Sequence, residues 1–443
     1  MYKDVLPGDA RYIVNKLKDA GKEVFVIGGF VRDYMMGKLA DDVDIVTSAI
    51  PSELQTIFCD DIVKLVGEQF GVIIVRGIEI ATYREDIYFR IDGEDNTNVK
   101  VKYAKSLRED MDRRDFTINA MAMCPTTMDI IDYHNGISDL ENRVIKFVGD
   151  PINRIFEDPN RILRACRFMS LIDGVLDEDT RRALSRQACL YAYVAKERVH
   201  TEVLKAMKTK RASRFFRAMS NIGILRHVFP ELDQCIGWDH GPHHYEDVFE
   251  HSMLVGDAIS TSYPLLKLGG YLHDIGKPAS CVINPRTNDL SFKGHHKTGA
   301  KCALERLKIL KFSNDETNFV NELIFKHMKF NNDILPKTAR KVLRYLEHIT
   351  YQDLVRLLVA DKMGNVKASN YTLSDIKHLV EIITAEEKDA KVTIAINGYD
   401  VMNVLNIEPG RKVGDALKKM EEIVVEDPSK NTRECLINEL TNI

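Results

Sequence analysis

The sequence predicts an α+β chain, with a small mixed helix-and-strand segment in front and a mostly α-helical remainder behind it. Three observations carry that prediction. Apolar, β-rich runs such as "EVFVIGG", "FGVIIVRGIEIATYR" and "VIKFVG" all fall before about residue 150. From there on, helical spacing takes over, as in "NRILRACRFMSLI" and "RVHTEVLKAMKTKRASRFFRAMSNIG". A chain of 443 residues is also too long for one ordinary core.

Taken in order, "ARYIVNKLKDAG" has helical spacing and a glycine stop at Gly21, and "EVFVIGG" then runs as a buried strand into a glycine turn. Val43, Ile45 and Val46 read as a second strand, and the run around Ile78 and Ile80 as another. The expected divisions are 1–147 for the mixed segment, 148–232 for a helical neck, 233–368 for a helical region holding most of the thirteen histidines, and 369–443 for a tail. The tail opens on a β-like run, "VTIAIN", and ends in an amphipathic helix. Formal net charge is −4, so a nucleic-acid surface must be a local patch. Eight scattered cysteines without a CxxC suit reduced thiols in a cytoplasm. No run approaches the roughly 18 apolar residues of a membrane span, and the N-terminus lacks a signal-peptide core, so no membrane is expected.

The chemistry concentrates in "VIGGFVRDYMMGKLADDVDIVTS". Gly28 and Gly29 let backbone N–H groups approach a ligand, and Arg32 follows with a fork suited to phosphate. Asp42 and Asp44, two apart on a strand, point to one side, and paired carboxylates call for a hard divalent cation between them. Taken alone, the aspartates are better explained by a solvated acidic turn, and it is the glycine pair and Arg32 beside them that favour the cation. Glu79, alternating with Ile78 and Ile80, is a candidate third carboxylate or an exposed strand residue.

"EDMDRRDFTINAMAM" sets Arg113, Arg114 and Asp115 before what reads as an apolar helix, which Asp115 would cap, while the adjacent arginines suit a triphosphate. In "FEDPNRILRACRF", Asp158 before Pro159 reads as an N-cap, and Arg161, Arg164 and Arg167 recur every three residues without acids between them. Such a row is a solvated face or, because its members would repel one another, predicts an anion alongside. Arg198, Lys205, Lys208, Lys210 and Arg211 form a local basic stretch that fits an RNA backbone or a solvated face. His251, with His273 and Asp274 adjacent to each other 22 residues on, supplies imidazole and carboxylate ligands for a transition metal.

These motifs resemble those of class II tRNA nucleotidyltransferases, the bacterial CCA-adding enzymes of the polymerase-beta-like superfamily. GG-x-VRD…D-x-D matches Gly28 to Asp44, RRDFTxNA matches Arg113 to Ala120 and includes Asn119, and EDxxR matches Glu157, Asp158 and Arg161. The resemblance implies Mg²⁺ on Asp42 and Asp44, ribose recognition by Arg113 to Asp115, and Asp158 with Arg161 pairing with the base of CTP or ATP, with tRNA as the other substrate. Arg84, Glu85 and Arg90 stand where the family carries D-x-R-R-P, and Lys146 where an arginine is expected, which keeps CC addition open beside CCA addition. Residues 251–274 resemble the HD phosphohydrolase superfamily, which implies Asp361 as the closing ligand and His296 and His327 as ligands of a second metal. Two rivals stand beside this reading, a poly(A) polymerase and an HD phosphohydrolase with an RNA-binding head.

Overall fold

The strand β1 (Val24–Ile27) is almost wholly apolar because it lies inside a sheet. Val24, Val26 and Ile27 are buried, each contributing about 1.5 to 3 kcal/mol relative to exposure. The computed structural model describes residues 6–38, 42–61, 63–65, 71–90, 97–241, 245–283, 285–286, 289–330, 334–365, 372–390 and 393–442. They form two units, Met1–Val228 and Phe229–Ile443.

In the first unit, β1 is joined by β2 (Asp44–Thr47), β3 (Val63–Leu65), β4 (Val72–Val75), β5 (Ile78–Thr82), β8 (Met121–Met123) and β9 (Ile130–Asp132) in a mixed seven-stranded sheet of order β3-β4-β5-β2-β1-β8-β9. β1 and β2 are antiparallel, with Ile27 opposite Asp44, whereas β2 and β5 are parallel, with Asp44 opposite Glu79. That register sets Asp44 and Glu79 side by side at the end of β1 where the chain turns. Two longer strands, β6 (Arg84–Arg90) and β7 (Thr97–Tyr103), form a separate hairpin.

The expected apolar helix after Asp115 is instead one 3-10 turn, Thr117–Asn119, followed by β8. Every residue from Asp115 to Met123 is buried, and continuous burial in the middle of a sheet does not reveal its period. Helices follow at Pro151–Glu157, Arg161–Leu171, Lys196–Met207 and Ser213–Asn221. Phe116 stacks on Phe147 at 4.6 Å and meets the edge of Phe168 at 5.3 Å, which ties the sheet to the Arg161–Leu171 helix.

The second unit is helical. Val248–Ala258, Pro264–Leu272, His295–Ile309, Asn314–Lys326 and Tyr351–Gly364 pack together, and Val255, Leu266, Leu323, Leu354 and Leu357 lie in their core. A Cβ on Gly276 would stand 2.2 Å from the His295 carbonyl oxygen, so only glycine lets the loop after His273 lie against the start of the next helix. The tail packs around Ile396, Val401, Met420, Leu436 and Leu440. "VTIAIN" is not a strand among its described residues. Ile394 and Ile396 instead face the tail core, and Asn431 bonds the backbone of Thr393 and Ala395.

Candidate active site and a second candidate metal centre

Gly28 has φ +68°, and the helix Gly29–Met35 starts from it. A Cβ there would sit 3.4 Å from Arg114 Nη1 and 3.8 Å from Asp44 Oδ2, so the turn, the arginine and the carboxylate share one small space. Asp42 lies exposed just ahead of β2, and Glu79 is exposed beside Asp44. Burial and then the charge of Glu79 raise the Asp44 carboxyl above its ordinary value. Arg114 opposes the rise, and Asp42 adds to it. Three hard oxygen donors that repel one another form a donor set that fits a divalent cation of the Mg²⁺ kind.

The arginines behind them are tied into a lattice. Asp110, fully buried, accepts from Arg113 at 2.7 and 3.0 Å and from Arg114 at 3.1 Å, and Arg113 also donates to Asp86 at 3.1 Å. Arg32 does not offer a free fork. Its guanidinium donates to Asp33 at 2.9 and 3.0 Å and to Asn119 at 2.7 Å, which fits it to hold the turn in place. Asp115 caps no α-helix; it accepts from Phe116 N, from Asn119 Nδ2 and from Arg164. Burial alone would raise its carboxyl, but Arg164 and these hydrogen bonds hold it down to about 2.

The arginine row has acids after all, supplied mostly from elsewhere in the chain. Arg161 pairs with Glu157 at 2.6 Å, Arg164 with Asp115, and Arg167 with the buried Glu202 at 2.5 Å. The row is therefore neutralised by the fold and needs no bound anion. Asp158 is not an N-cap with proline at the first helical position. It ends the Pro151–Glu157 helix, accepts from Asn160 N at 3.1 Å, and is clasped by both Arg198 nitrogens at 2.8 and 2.7 Å.

Of the basic stretch, Lys205, Lys208, Lys210 and Arg211 are exposed, whereas Arg198 belongs to the clasp. Lys208, Lys210 and Arg211 line a groove of about 800 Å³ together with Lys38 and Arg143. Asp173 in that groove is shared by Arg143, Arg211 and Arg214.

The second unit gathers His240, His251, His273, Asp274, His295, His327 and Asp361. Among the described residues, every group of three or more such ligands with atoms within 4.8 Å of one another lies here; the Asp42, Asp44 and Glu79 oxygens are not drawn that close. Asp274 works from both oxygens. Oδ2 faces His273 at 3.1 Å, His240 at 3.4 Å and His251 at 3.8 Å, while Oδ1 faces His295 at 3.3 Å and His327 at 4.0 Å. Asp361 meets His251 at 2.9 Å. His273, His295 and His327 each bond a carbonyl three residues back through Nδ1, which turns Nε2 into the cluster, as metal-binding imidazoles are held. Burial opposes a proton on His273, but Asp274 and Asp361 prevail and raise it to about 10. Burial and the His273 charge push His327 down to about 3. His273, Asp274, His295, His327 and Asp361 line a cavity of about 300 Å³.

His296, expected as a ligand, turns instead toward the Phe325 ring, and its neighbour His295 takes the place. His240 and Lys277, which donates to Asp274 at 2.6 Å, escaped the sequence reading. The crowding of histidines near 240 was their only signal.

Residues 24–146 match the family described as the poly A polymerase head domain, 175–236 match "Probable RNA and SrmB-binding site of polymerase A", and 295–440 match tRNA nucleotidyltransferase domain 2. The chain is 29% identical over 436 residues to the CCA-adding enzyme of Staphylococcus epidermidis, spanning 97% of this chain and 96% of that protein. It is 27% identical over 412 residues to the A-adding tRNA nucleotidyltransferase of Deinococcus radiodurans, spanning 90% of each. Over 229 residues it is 38% identical to the CCA-adding enzyme of Bacillus licheniformis, spanning 50% of this chain and 55% of that protein. Its fold is that of the Bacillus stearothermophilus CCA-adding enzyme solved with CTP, with a TM-score of 0.70 at 23% identity over 98% of this chain and 96% of that one.

Proposed function

We propose that the chain is a tRNA nucleotidyltransferase that completes tRNA 3′ ends with C, C and A from CTP and ATP, without a nucleic-acid template, releasing pyrophosphate in the cytoplasm. The single observation that carries the reading is the pairing of Asp44 with Glu79 across β2 and β5, with Asp42 ahead and Arg114 beside the Gly28 turn.

Asp42, Asp44 and Glu79 would hold Mg²⁺, which when bound supplies a lowered pKa for the attacking hydroxyl and charge neutralisation for the leaving group. The chain's own residues do the rest. The Gly29 backbone N–H, with Arg114, receives phosphate charge, while the Gly28 N–H donates to the Met121 carbonyl and holds the turn on the sheet. Asp110 fixes the directions of Arg113 and Arg114, so little reorganisation is left to the moment of reaction. Asn119 and Asp33 hold Arg32, and through it the turn. Asp158 offers acceptors and Arg161 donors, the pattern that complements the amino group and ring nitrogen of cytosine and adenine. Lys205, Lys208, Lys210 and Arg211 serve the RNA backbone. In this reading residues 1–147 are the head, 148–232 the neck, 233–368 an HD domain and 369–443 a tRNA-binding tail.

The histidine cluster supports a second site with HD-type chemistry. His251, His273, Asp274 and Asp361 would bind a transition metal, with His295 and His327 open to another. A phosphohydrolase activity is the reading they favour.

The test of the first site is to make Asp42→Ala and Asp44→Ala and measure CTP incorporation and tRNA binding separately. Incorporation should vanish while binding stays near wild type. Incorporation at the wild-type rate by either variant would refute the assignment.

A further inference from the structure

The groove of about 800 Å³ that holds Asp173 has two unlike surfaces, and its size suits a small-molecule ligand. Its floor is apolar, formed by Met35 and Met36 at the end of the Gly29–Met35 helix and by Leu140, Leu171 and Ile172. Its rim is basic. Lys38, Arg143, Lys208, Lys210 and Arg211 face only Glu141 and Asp173. Among the described residues, no carboxylate pairs with Lys38 or Lys208. The single charge of Asp173 is divided among three guanidiniums, Arg143 at 3.6 Å, Arg211 at 3.4 Å and Arg214. Three like charges gathered on one carboxylate repel one another, and a second, multiply charged anion relieves them.

The backbone is strained at the same spot. Arg143 and Asp173 both take left-handed φ, +56° and +53°. They precede the paired strands Val144–Ile145 and Val175–Leu176, where Val175 N donates to the Arg143 carbonyl at 2.9 Å and a Cβ on Gly174 would stand 2.3 Å from that oxygen. Non-glycine residues in this conformation gather at ligand clamps, and here both line one groove. A duplex RNA backbone offers phosphates alone and makes no use of an apolar floor. A nucleoside polyphosphate matches both surfaces, with several charges for the rim and a flat base for the adaptable methionines. Asp42, Asp44, Glu79, Arg114, Asp158 and Arg161 are all absent from the lining, so the groove is separate from the reaction site.

We propose that this groove is a second nucleotide site, which takes a nucleoside polyphosphate with its phosphates on the Asp173 arginines and neighbouring lysines and its base on the methionine floor. An occupant covers Lys208, Lys210 and Arg211, so it competes with RNA and leaves the reacting nucleotide alone. The competition rests on the RNA-backbone reading of those three residues, whereas the binding does not.

The experiment uses the full chain, with GTP and inorganic tripolyphosphate as probes. Guanine carries a carbonyl where adenine carries its amine, so GTP suits Asp158 poorly. Titration calorimetry should show both probes binding, GTP about tenfold more tightly because burial of the base adds to the phosphate contacts. Lys38→Ala, at an exposed residue, should weaken both about 5-fold. Met36→Gln should weaken GTP about 5-fold and leave tripolyphosphate unchanged. Photolabelling with 8-azido-GTP should mark peptides containing Met35–Lys38 or Lys208–Arg211, and GTP should raise the KM for tRNA with the KM for CTP unchanged. Failure of both probes to bind would overturn the site and leave the groove an RNA surface only. Affinities indifferent to Lys38→Ala, or labelling of the peptide that holds Asp158 instead, would overturn it as well, and equal affinity for the two probes would remove the nucleoside from it. If GTP labels the groove and the KM for tRNA does not move, it is the RNA-backbone reading that fails.

Discussion

Replacing Asp115 by asparagine removes one charge from a buried pair while keeping the side-chain oxygen that accepts from Phe116 N. A carboxyl held at about 2 against its ordinary 3.8, at about 1.4 kcal/mol per tenfold in proton affinity, stabilises the folded unit by on the order of 2 kcal/mol. The sign follows from the depressed value. The contribution is fully present above about pH 4 and is lost as pH falls through about 2. Breaking a buried ion pair outright typically costs about 3 to 5 kcal/mol, because the surviving charge is stranded. Arg164 is not wholly stranded, since Glu202 lies 3.9 Å from it and its side chain keeps 29% exposure. The lower figure is therefore the expected one. A two-unit chain gives no single unfolding free energy, so the assay is hydrogen exchange at pH 7, followed in peptides covering Phe116–Met123 and Arg161–Leu171. Exchange there should accelerate about 30-fold in Asp115→Asn, while peptides of the second unit stay unchanged. Equal protection in variant and wild type would show that the pair does not hold these elements together.

Three further outcomes follow from the same geometry. Gly28→Ala forces a left-handed φ on a residue with a Cβ and crowds Arg114, at about 1 to 2 kcal/mol, so CTP turnover should fall about tenfold or more with the fold retained by circular dichroism. Full activity would remove the turn from the site. Asp158→Ala should raise the UTP to CTP ratio of kcat/KM by about 5- to 150-fold, the loss of about 1 to 3 kcal/mol of discrimination, whereas an unchanged ratio leaves Asp158 only its clasp with Arg198. His273→Ala should lower bound transition metal, measured by elemental analysis of the purified protein, and abolish any metal-dependent phosphatase activity. CTP incorporation should stay intact, and loss of both activities in a folded variant would contradict two independent sites.

The head was legible because its chemistry is local. A positive-φ glycine, two carboxylates two residues apart and a glutamate alternating with isoleucines all announce themselves through spacing, and the sheet register then brings Glu79 to Asp44. What the sequence hid depends on distant chain. The acids that neutralise Arg164 and Arg167 lie 49 and 35 residues away and are brought in by other elements, so the row read as unpaired. Asp158 read as a helix start because its partner Arg198 is 40 residues on. At the adjacent pair His295 and His296, neighbouring residues on a helix point about 100° apart, and composition does not tell which of them faces the cavity. Met121–Met123 read as helix because strand and helix look alike when buried on every side.

Template-independent synthesis of a C-C-A end is read straight from the sequence of the products. tRNA lacking its last three residues is incubated with Mg²⁺ and CTP alone, ATP alone, or both. Two cytidines are expected with CTP alone, no cytidine with ATP alone, and a homogeneous C-C-A terminus with both. Products that stop at C-C when ATP is present, a run of adenosines, or no extension at all would contradict it.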